Sequence, residues 1–171
     1  AVSNNQNLLS QDQSQSIQIK SSGSCGTSLT FTVQNTRLII EGSGNMRSYS
    51  SSSLPPWSAD KDIIQTVELS ENITSIGSYA FYKLSQIQTI VIPEKVTSIG
   101  NSAFSSCKNL RNIKIPKLVT SIQISTFHSC TNLLTAEFHD NIKTKEYSNQ
   151  YKLNLIPFVD SRISLNLCLL S

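Results

Sequence analysis

Val96-Thr97-Ser98-Ile99-Gly100-Asn101-Ser102-Ala103-Phe104-Ser105-Ser106-Cys107-Lys108-Asn109-Leu110-Arg111-Asn112-Ile113-Lys114-Ile115-Pro116 is one copy of a unit that returns every 23 residues. Ile73-Thr74-Ser75-Ile76-Gly77 lies one period before its opening, and Val119-Thr120-Ser121-Ile122-Gln123 one period after. Ala80-Phe81, Ala103-Phe104 and Thr126-Phe127 align, as do Leu84, Cys107 and Cys130. Ile87, Leu110 and Leu133 share a slot; so do Ile90, Ile113 and Ala136, and Ile92, Ile115 and Phe138. Pro93 and Pro116 align, with His139 in the third copy. Three matches in register without an insertion define a repeat, and repeats of this length belong to stacked-coil architectures.

The contents of each slot predict its structure. Ile90-Val91-Ile92, Ile113-Lys114-Ile115 and Ala136-Glu137-Phe138 alternate apolar and variable residues, the pattern of a half-exposed strand. The proline after two of them has no N–H for a ladder and ends the pairing. The Val/Ile-Thr-Ser-Ile segment, rich in β-branched residues, predicts a second short extended piece. Ala-Phe and the slot three residues later predict a single helical or 3₁₀ turn anchored by the phenylalanine. One such unit cannot bury its apolar face alone, so Phe81, Phe104 and Phe127 should form an internal column. The fold class expected is therefore an α/β to mostly β solenoid of stacked coils, with short extended and helical or 3₁₀ turns between the strands.

The repeat occupies residues 64–141. Ile64-Gln65-Thr66-Val67-Glu68-Leu69-Ser70 matches the strand half of a unit, while Lys145, Glu146, Asn149 and Gln150 put polar groups into core slots. Residues 142–171 are accordingly read as a degenerate last repeat with a C-terminal cap. In residues 25–63, Leu29-Thr30-Phe31-Thr32-Val33 and Leu38-Ile39-Ile40 flank the polar turn Gln34-Asn35-Thr36, a β-hairpin signal. A hairpin there would cap the open end of the stack. Trp57, after Pro55-Pro56, is read as an anchor of that cap, with an exposed ligand-stacking ring as the alternative. Residues 1–24 are dominated by Ser, Gln and Asn and read as partly disordered, although Ile17 and Ile19 could add an edge strand.

Charged residues make up only 15% of the 171-residue chain and the formal net charge is +3, with no basic run, which argues against nucleic acid as a partner. No apolar stretch reaches the roughly 20 residues of a membrane helix. The opening Ala1-Val2-Ser3 lacks both Met and an apolar leader, so the chain is read as processed or as an expressed segment, and secretion of the full-length product stays open. Cys25, Cys107, Cys130 and Cys168 fit no zinc or redox spacing. Cys107 and Cys130 occupy one repeat slot and read as buried thiols rather than as a bridged pair. His128 and His139 lack carboxylate or thiol companions at ligand or triad spacing. The expectation is a non-enzyme without cofactor or metal.

The motif Val-Thr-Ser-Ile-Gly-x-x-Ala-Phe-x-x-Cys-x-x-Leu-x-x-Ile-x-Ile-Pro, best preserved over residues 96–116, resembles the BspA-like leucine-rich-repeat surface antigens of bacteria and trichomonad-type protists. Cys25-Gly26, Gly42-Ser43-Gly44-Asn45-Met46 and Pro56-Trp57 resemble their N-terminal cap. The resemblance covers about residues 25–140. It implies a curved leucine-rich-repeat solenoid with a parallel sheet on its concave side, secreted or at the cell surface, adhering to host-cell or extracellular-matrix proteins.

Outward strand positions form the binding face of such solenoids. Here they are Thr66 and Glu68, Thr89 and Val91, Asn112 and Lys114, and Thr135 and Glu137. Asn72-Ile73-Thr74 is a candidate glycosylation sequon at a turn between coils. A structural element that self-assembles into a homo-oligomer through its solenoid ends is the alternative to a binding module.

Overall fold

A computed structural model describes residues 16–123, 125–139 and 142–144 of the chain. The alternation in residues 25–46 produces two long strands, β2 (Gly26–Gln34) and β3 (Arg37–Met46), preceded by an antiparallel edge strand, β1 (Ile19–Ser24). Leu29, Phe31, Val33, Leu38 and Ile40 all point into the core. The hairpin turn is tighter than expected. Gln34 pairs with Arg37, which leaves Asn35 and Thr36 to reverse the chain, with Asn35 in the left-handed region at φ 53°.

β3 joins the hairpin to the repeats along two lines. Its first half, residues 37–40, pairs in parallel with β4 (Thr66–Leu69); farther along, Gly44 and Asn45 pair with β5 (Ile73–Ile76). Gly42, at φ 103°, lies between the two pairings, where a Cβ would collide with the Ser28 carbonyl. From there the chain advances in coils with two rows of short parallel strands. One row is β6 (Thr89–Ile90), β8 (Asn112–Lys114) and β10 (Thr135–Glu137), with Thr89 and Thr135 on either side of Asn112. The other is β5 and β7 (Ser98–Ile99), followed by β9 (Ser121–Ile122) and β11 (Lys143–Thr144). Ser75 pairs with Ser98, one period on, but Lys143 pairs with Ser121, a step of 22. Ile142 keeps the period, packing against the core with its N–H on His139 O as Val119 N–H is on Pro116 O, so the slip of register falls between Ile142 and Lys143. The proposed C-terminal cap lies outside the described residues, as do Cys168 and residues 1–15.

Two local expectations need correction. The pairing in the first row runs over Thr89–Ile90, Asn112–Lys114 and Thr135–Glu137, one residue earlier than the alternation suggested. Inward and outward positions are as expected, and β10 ends in the same slot as β8 although His139 stands where Pro116 does, so the proline does not set the end of the pairing. The Ala-Phe segment is not a helical or 3₁₀ turn either. Among the described residues the one 3₁₀ helix is Pro56–Asp60.

Each Ala-Phe segment is instead a run of overlapping β-turns. Ala80 N–H bonds Gly77 O, Tyr82 N–H bonds Tyr79 O, and Leu84 N–H bonds Phe81 O. The intervening N–H groups point to the next coil: Tyr79 to Asn101 O, Phe81 to Ala103 O and Lys83 to Ser105 O. Alternate peptides face opposite ways because Tyr79, Lys83, Ser102, Ser106, Ser125 and Ser129 take φ between 54° and 63°. The turns thus satisfy one another's backbone groups between coils, as strands would.

Inside these turns run the aromatic rings. Phe81 and Phe104 stack at 5.3 Å, and Phe104 and Phe127 at 5.7 Å with planes 11° apart. Trp57, fully buried, continues the column at 6.5 Å from Phe81 and meets Phe31 edge-on at 5.2 Å. Its Nε1–H donates to Ala80 O at 2.9 Å. In the next coils the same carbonyls, Ala103 O and Thr126 O, accept from the N–H of Phe81 and of Phe104. The indole therefore stands in for the backbone donor that a preceding coil would have supplied. Tyr49 N–H does the same for Ser78 O, the counterpart of Asn101 O.

Trp57→Phe should retain the ring column yet leave Ala80 O unpaired, lowering stability by about 1–3 kcal/mol in urea unfolding. Trp57→Ala should cost about 3–5 kcal/mol. A Trp57→Phe variant as stable as the native chain would show that the indole N–H contributes nothing. Gly100→Ala should also destabilise, by about 1–3 kcal/mol, because its Cβ would press on the Ser78 backbone in the coil below.

Candidate functional site

Alternation along β6, β8 and β10 turns Ile90, Ile113 and Ala136 inward and their neighbours outward. Thr89, Val91, Asn112, Lys114 and Glu137 are exposed and Thr135 is half-buried. These six share one surface. Asn112 lies between Thr89 and Thr135, its Oδ1 accepting from Thr135 Oγ1 at 2.6 Å, while Lys114 is in register with Glu137. Below this ladder, Asn132 Nδ2 donates to Asn109 Oδ1 at 3.3 Å, a second polar rung one period wide.

Thr66 and Glu68 are exposed as expected, but β4 pairs with β3 and belongs to the sheet that the hairpin leads. Arg37, a residue the sequence did not single out, explains the behaviour of Glu68. Its Nε and Nη2 donate to Glu68 Oε1 and Oε2 at 2.7 and 2.6 Å, and the hydrogen bond with Glu68 raises the Arg37 pKa. Glu68 thus fastens hairpin to repeat. Lys114 likewise has a partner from the preceding coil, Glu94 Oε1 at 3.2 Å. Both pairs are substantially exposed and contribute little stability.

Asn72 is exposed on its turn, where its Oδ1 accepts from Lys95 Nζ at 2.6 Å. The sequon hydroxyl, Thr74 Oγ1, donates to Asn45 Oδ1 at 2.8 Å.

Trp57 is buried in the cap, so the ligand-stacking alternative falls. Cys25, Cys107 and Cys130 are free, buried thiols. Cys107 Sγ–H donates to Phe81 O at 3.1 Å and Cys130 Sγ–H to Phe104 O at 3.0 Å. Each thiol therefore adds a bond to a turn carbonyl of the preceding coil. Desolvation pushes the Cys130 and Cys25 thiols up to about 11 and that of Cys107 well above its ordinary value. Protonated sulfur in a closed core is a poor nucleophile. His139 Nε2 lies 3.1 Å from Pro116 O and 3.0 Å from Val119 O, so the ring reaches back to the Pro116–Val119 turn of the preceding coil. His128 Nδ1 contacts Ser129 Oγ at 3.0 Å. No helix of the described residues is long and apolar enough to cross a membrane.

The family model for the BspA type leucine rich repeat region matches residues 59–165, in six copies. This span runs past Phe138, where the residue-by-residue rhythm fades. A leucine-rich repeat protein from Eubacterium ventriosum ATCC 27560 has a similar structure, with a TM-score of 0.61 and 21% identity over 77% of this chain and 41% of its own. The chain thus spans about two-fifths of that protein's length, and the likeness is one of fold. Looser likenesses are a T. pallidum leucine rich repeat protein (TM-score 0.47, 20% identity, 59% of this chain and 63% of that one) and a leucine rich cell surface protein from Faecalibacterium prausnitzii A2-165 (TM-score 0.41, 19% identity, 71% and 44%). No curated protein sequence matches the chain.

In the folded protein, Cys25, Cys107 and Cys130 should resist iodoacetamide at about pH 8 and react once the chain is denatured, as mapped by mass spectrometry. Because folding raises their pKa, the stability they contribute is complete below the ordinary thiol value of 9.0, and for Cys25 and Cys130 it is lost as pH rises through about 11. Cys107→Val with Cys130→Val should therefore flatten the alkaline fall of Tm in that window. An unchanged slope would refute the assignment.

Proposed function

The chain belongs to the BspA-type leucine-rich-repeat family, and from that premise we propose that it is a protein-binding module, secreted or at the cell surface, that adheres to host-cell or extracellular-matrix proteins. Leucine-rich repeats serve protein–protein interaction in general. In this reading the coils form a short solenoid, its concave face is the β6–β8–β10 sheet, and the partner lies across the outward side chains of that sheet. Thr66 and Glu68 extend the face toward the hairpin.

One observation carries the reading. The outward positions Thr89, Asn112 and Thr135, the first two exposed and the third half-buried, stand in register across three paired strands, and none of them belongs to the apolar core. A rigid scaffold that presents side chains in fixed register lowers the ordering cost of binding. The low charge and the abundance of Ser, Thr, Asn and Gln suit a secreted or surface protein, and an exposed Asn72 suits a glycosylated one. Buried, protonated thiols and a histidine spent on tying a turn support binding rather than catalysis.

Glu68 and Lys114 are paired within the chain, so reversing their charges would disturb the fold as well as the face. Thr89→Arg, Asn112→Arg and Thr135→Arg combined is the cleaner test. This variant should keep its Tm within a few degrees yet lose at least about tenfold in affinity for partners captured from a panel of host-cell-surface and matrix proteins. Undiminished binding would mean that the sheet is not the contact surface.

A further inference from the structure

The second coil, residues 96–118, carries a pattern its neighbours lack. Lys108, Arg111, Lys114 and Lys117 place an exposed cation at every third residue of the coil, Arg111 and Lys114 at strand β8 and Lys108 and Lys117 in the turns on either side of it. The first coil has Gln88, Val91 and Glu94 in the last three of these slots, and the third coil has Leu134 and Glu137 in the middle two. Among the described residues the carboxylates in the neighbouring slots are Glu94 and Glu137; Asp140, one period from Lys117, lies outside them. Of the four cations only Lys114 is in an ion pair among the described residues, with Glu94 at 3.2 Å in an exposed setting. Neighbouring cations are roughly 10 Å apart where the chain is extended.

Two further observations limit what could bind there. β8 is paired on both edges, with Thr89 on one side and Thr135 on the other, so no backbone is free to accept an added strand. Recognition must come from side chains. The row is also flanked by exposed apolar groups, Val91 on the first coil at 78% and Leu134 on the third at 60%. Leu134 is joined directly to the row through its N–H on Arg111 O at 2.8 Å. Val91 is one period from Lys114.

We propose that this row docks an acid-rich, extended segment of a protein partner, with carboxylates at three-residue spacing and apolar side chains between them that cover Val91 and Leu134. The proposal rests on the protein-binding reading above and names the chemistry of the partner. A polyproline-type segment repeats every three residues, roughly 9 Å, and so sets its acidic side chains opposite the cations. A sulfated polysaccharide would match the charge, but has no aliphatic side chains for the two flanks.

The test uses the full chain and a fluorescein-labelled peptide of four Glu-Pro-Leu triplets, with the Gln-Pro-Leu analogue as control and heparin as a separate probe, all by fluorescence anisotropy. The acidic peptide should bind more tightly than the control, and more weakly as salt rises. Lys108→Gln, Arg111→Gln and Lys117→Gln combined should weaken it at least tenfold with Tm unchanged. Val91→Ser with Leu134→Ser should weaken the peptide several-fold and leave heparin unaffected. Equal binding of the two peptides, indifference to the triple variant, or heparin binding at the row without peptide binding would each overturn the proposal. If the triple variant keeps the matrix-partner affinity that the Thr89, Asn112 and Thr135 variant loses, the row is refuted while the binding face stands.

Discussion

A coil of 23 residues has too little volume to enclose its own apolar side chains, so each coil of this chain is stable only against the next. Phe104 is buried because Phe81 lies below it and Phe127 above. The hydrogen bonds obey the same rule: the N–H groups of Phe81 and Phe104 end on carbonyls of the following coil, and the thiols of Cys107 and Cys130 on carbonyls of the preceding one. Stability of this kind is a sum of interfaces, and it obliges the molecule to solve its ends separately.

The N-terminal end is solved by substitution of parts. The hairpin supplies β3, which pairs with β4 along its first half and with β5 farther on, so both strands of the first turn of the chain after the hairpin meet a partner. Where the hairpin has no turn ladder to offer, Trp57 Nε1 and Tyr49 N–H take over the missing donors. Arg37 then clasps Glu68 across the join. A cap built this way imitates a coil in hydrogen bonding and in ring stacking without repeating its sequence.

That distinction explains how much of the fold was legible. The period, the inward slots, the aromatic column and the buried thiols follow from spacing and side-chain type, and the structure bears them out. The turn ladder does not, because its left-handed positions are filled by Tyr79, Lys83 and four serines rather than by Gly or Asn, which usually announce such a backbone. The contacts between coils override the local preference of those residues. The double role of β3 was likewise hidden, since splitting one strand between two edges is decided by what packs against it and leaves no local pattern. It is also why Thr66 and Glu68, correct in exposure, lie on a different sheet from the other outward residues.

The outward face was legible for the opposite reason: alternation fixes which positions face solvent, whatever residues fill them. What they recognise has no such periodicity. The core demands the same residue types in every coil, and the slot held by Leu84, Cys107 and Cys130 is buried in each. Outward slots feel no such demand, so their differences from coil to coil are free to carry information. Lys114 replaces Val91, and Glu137 replaces Lys114, with no consequence for the inward side chains of the same strands. A row of cations confined to the second coil is therefore a departure that packing neither requires nor forbids. In a repeat protein such departures, rather than the repeat itself, are where the specificity of an interaction has to reside.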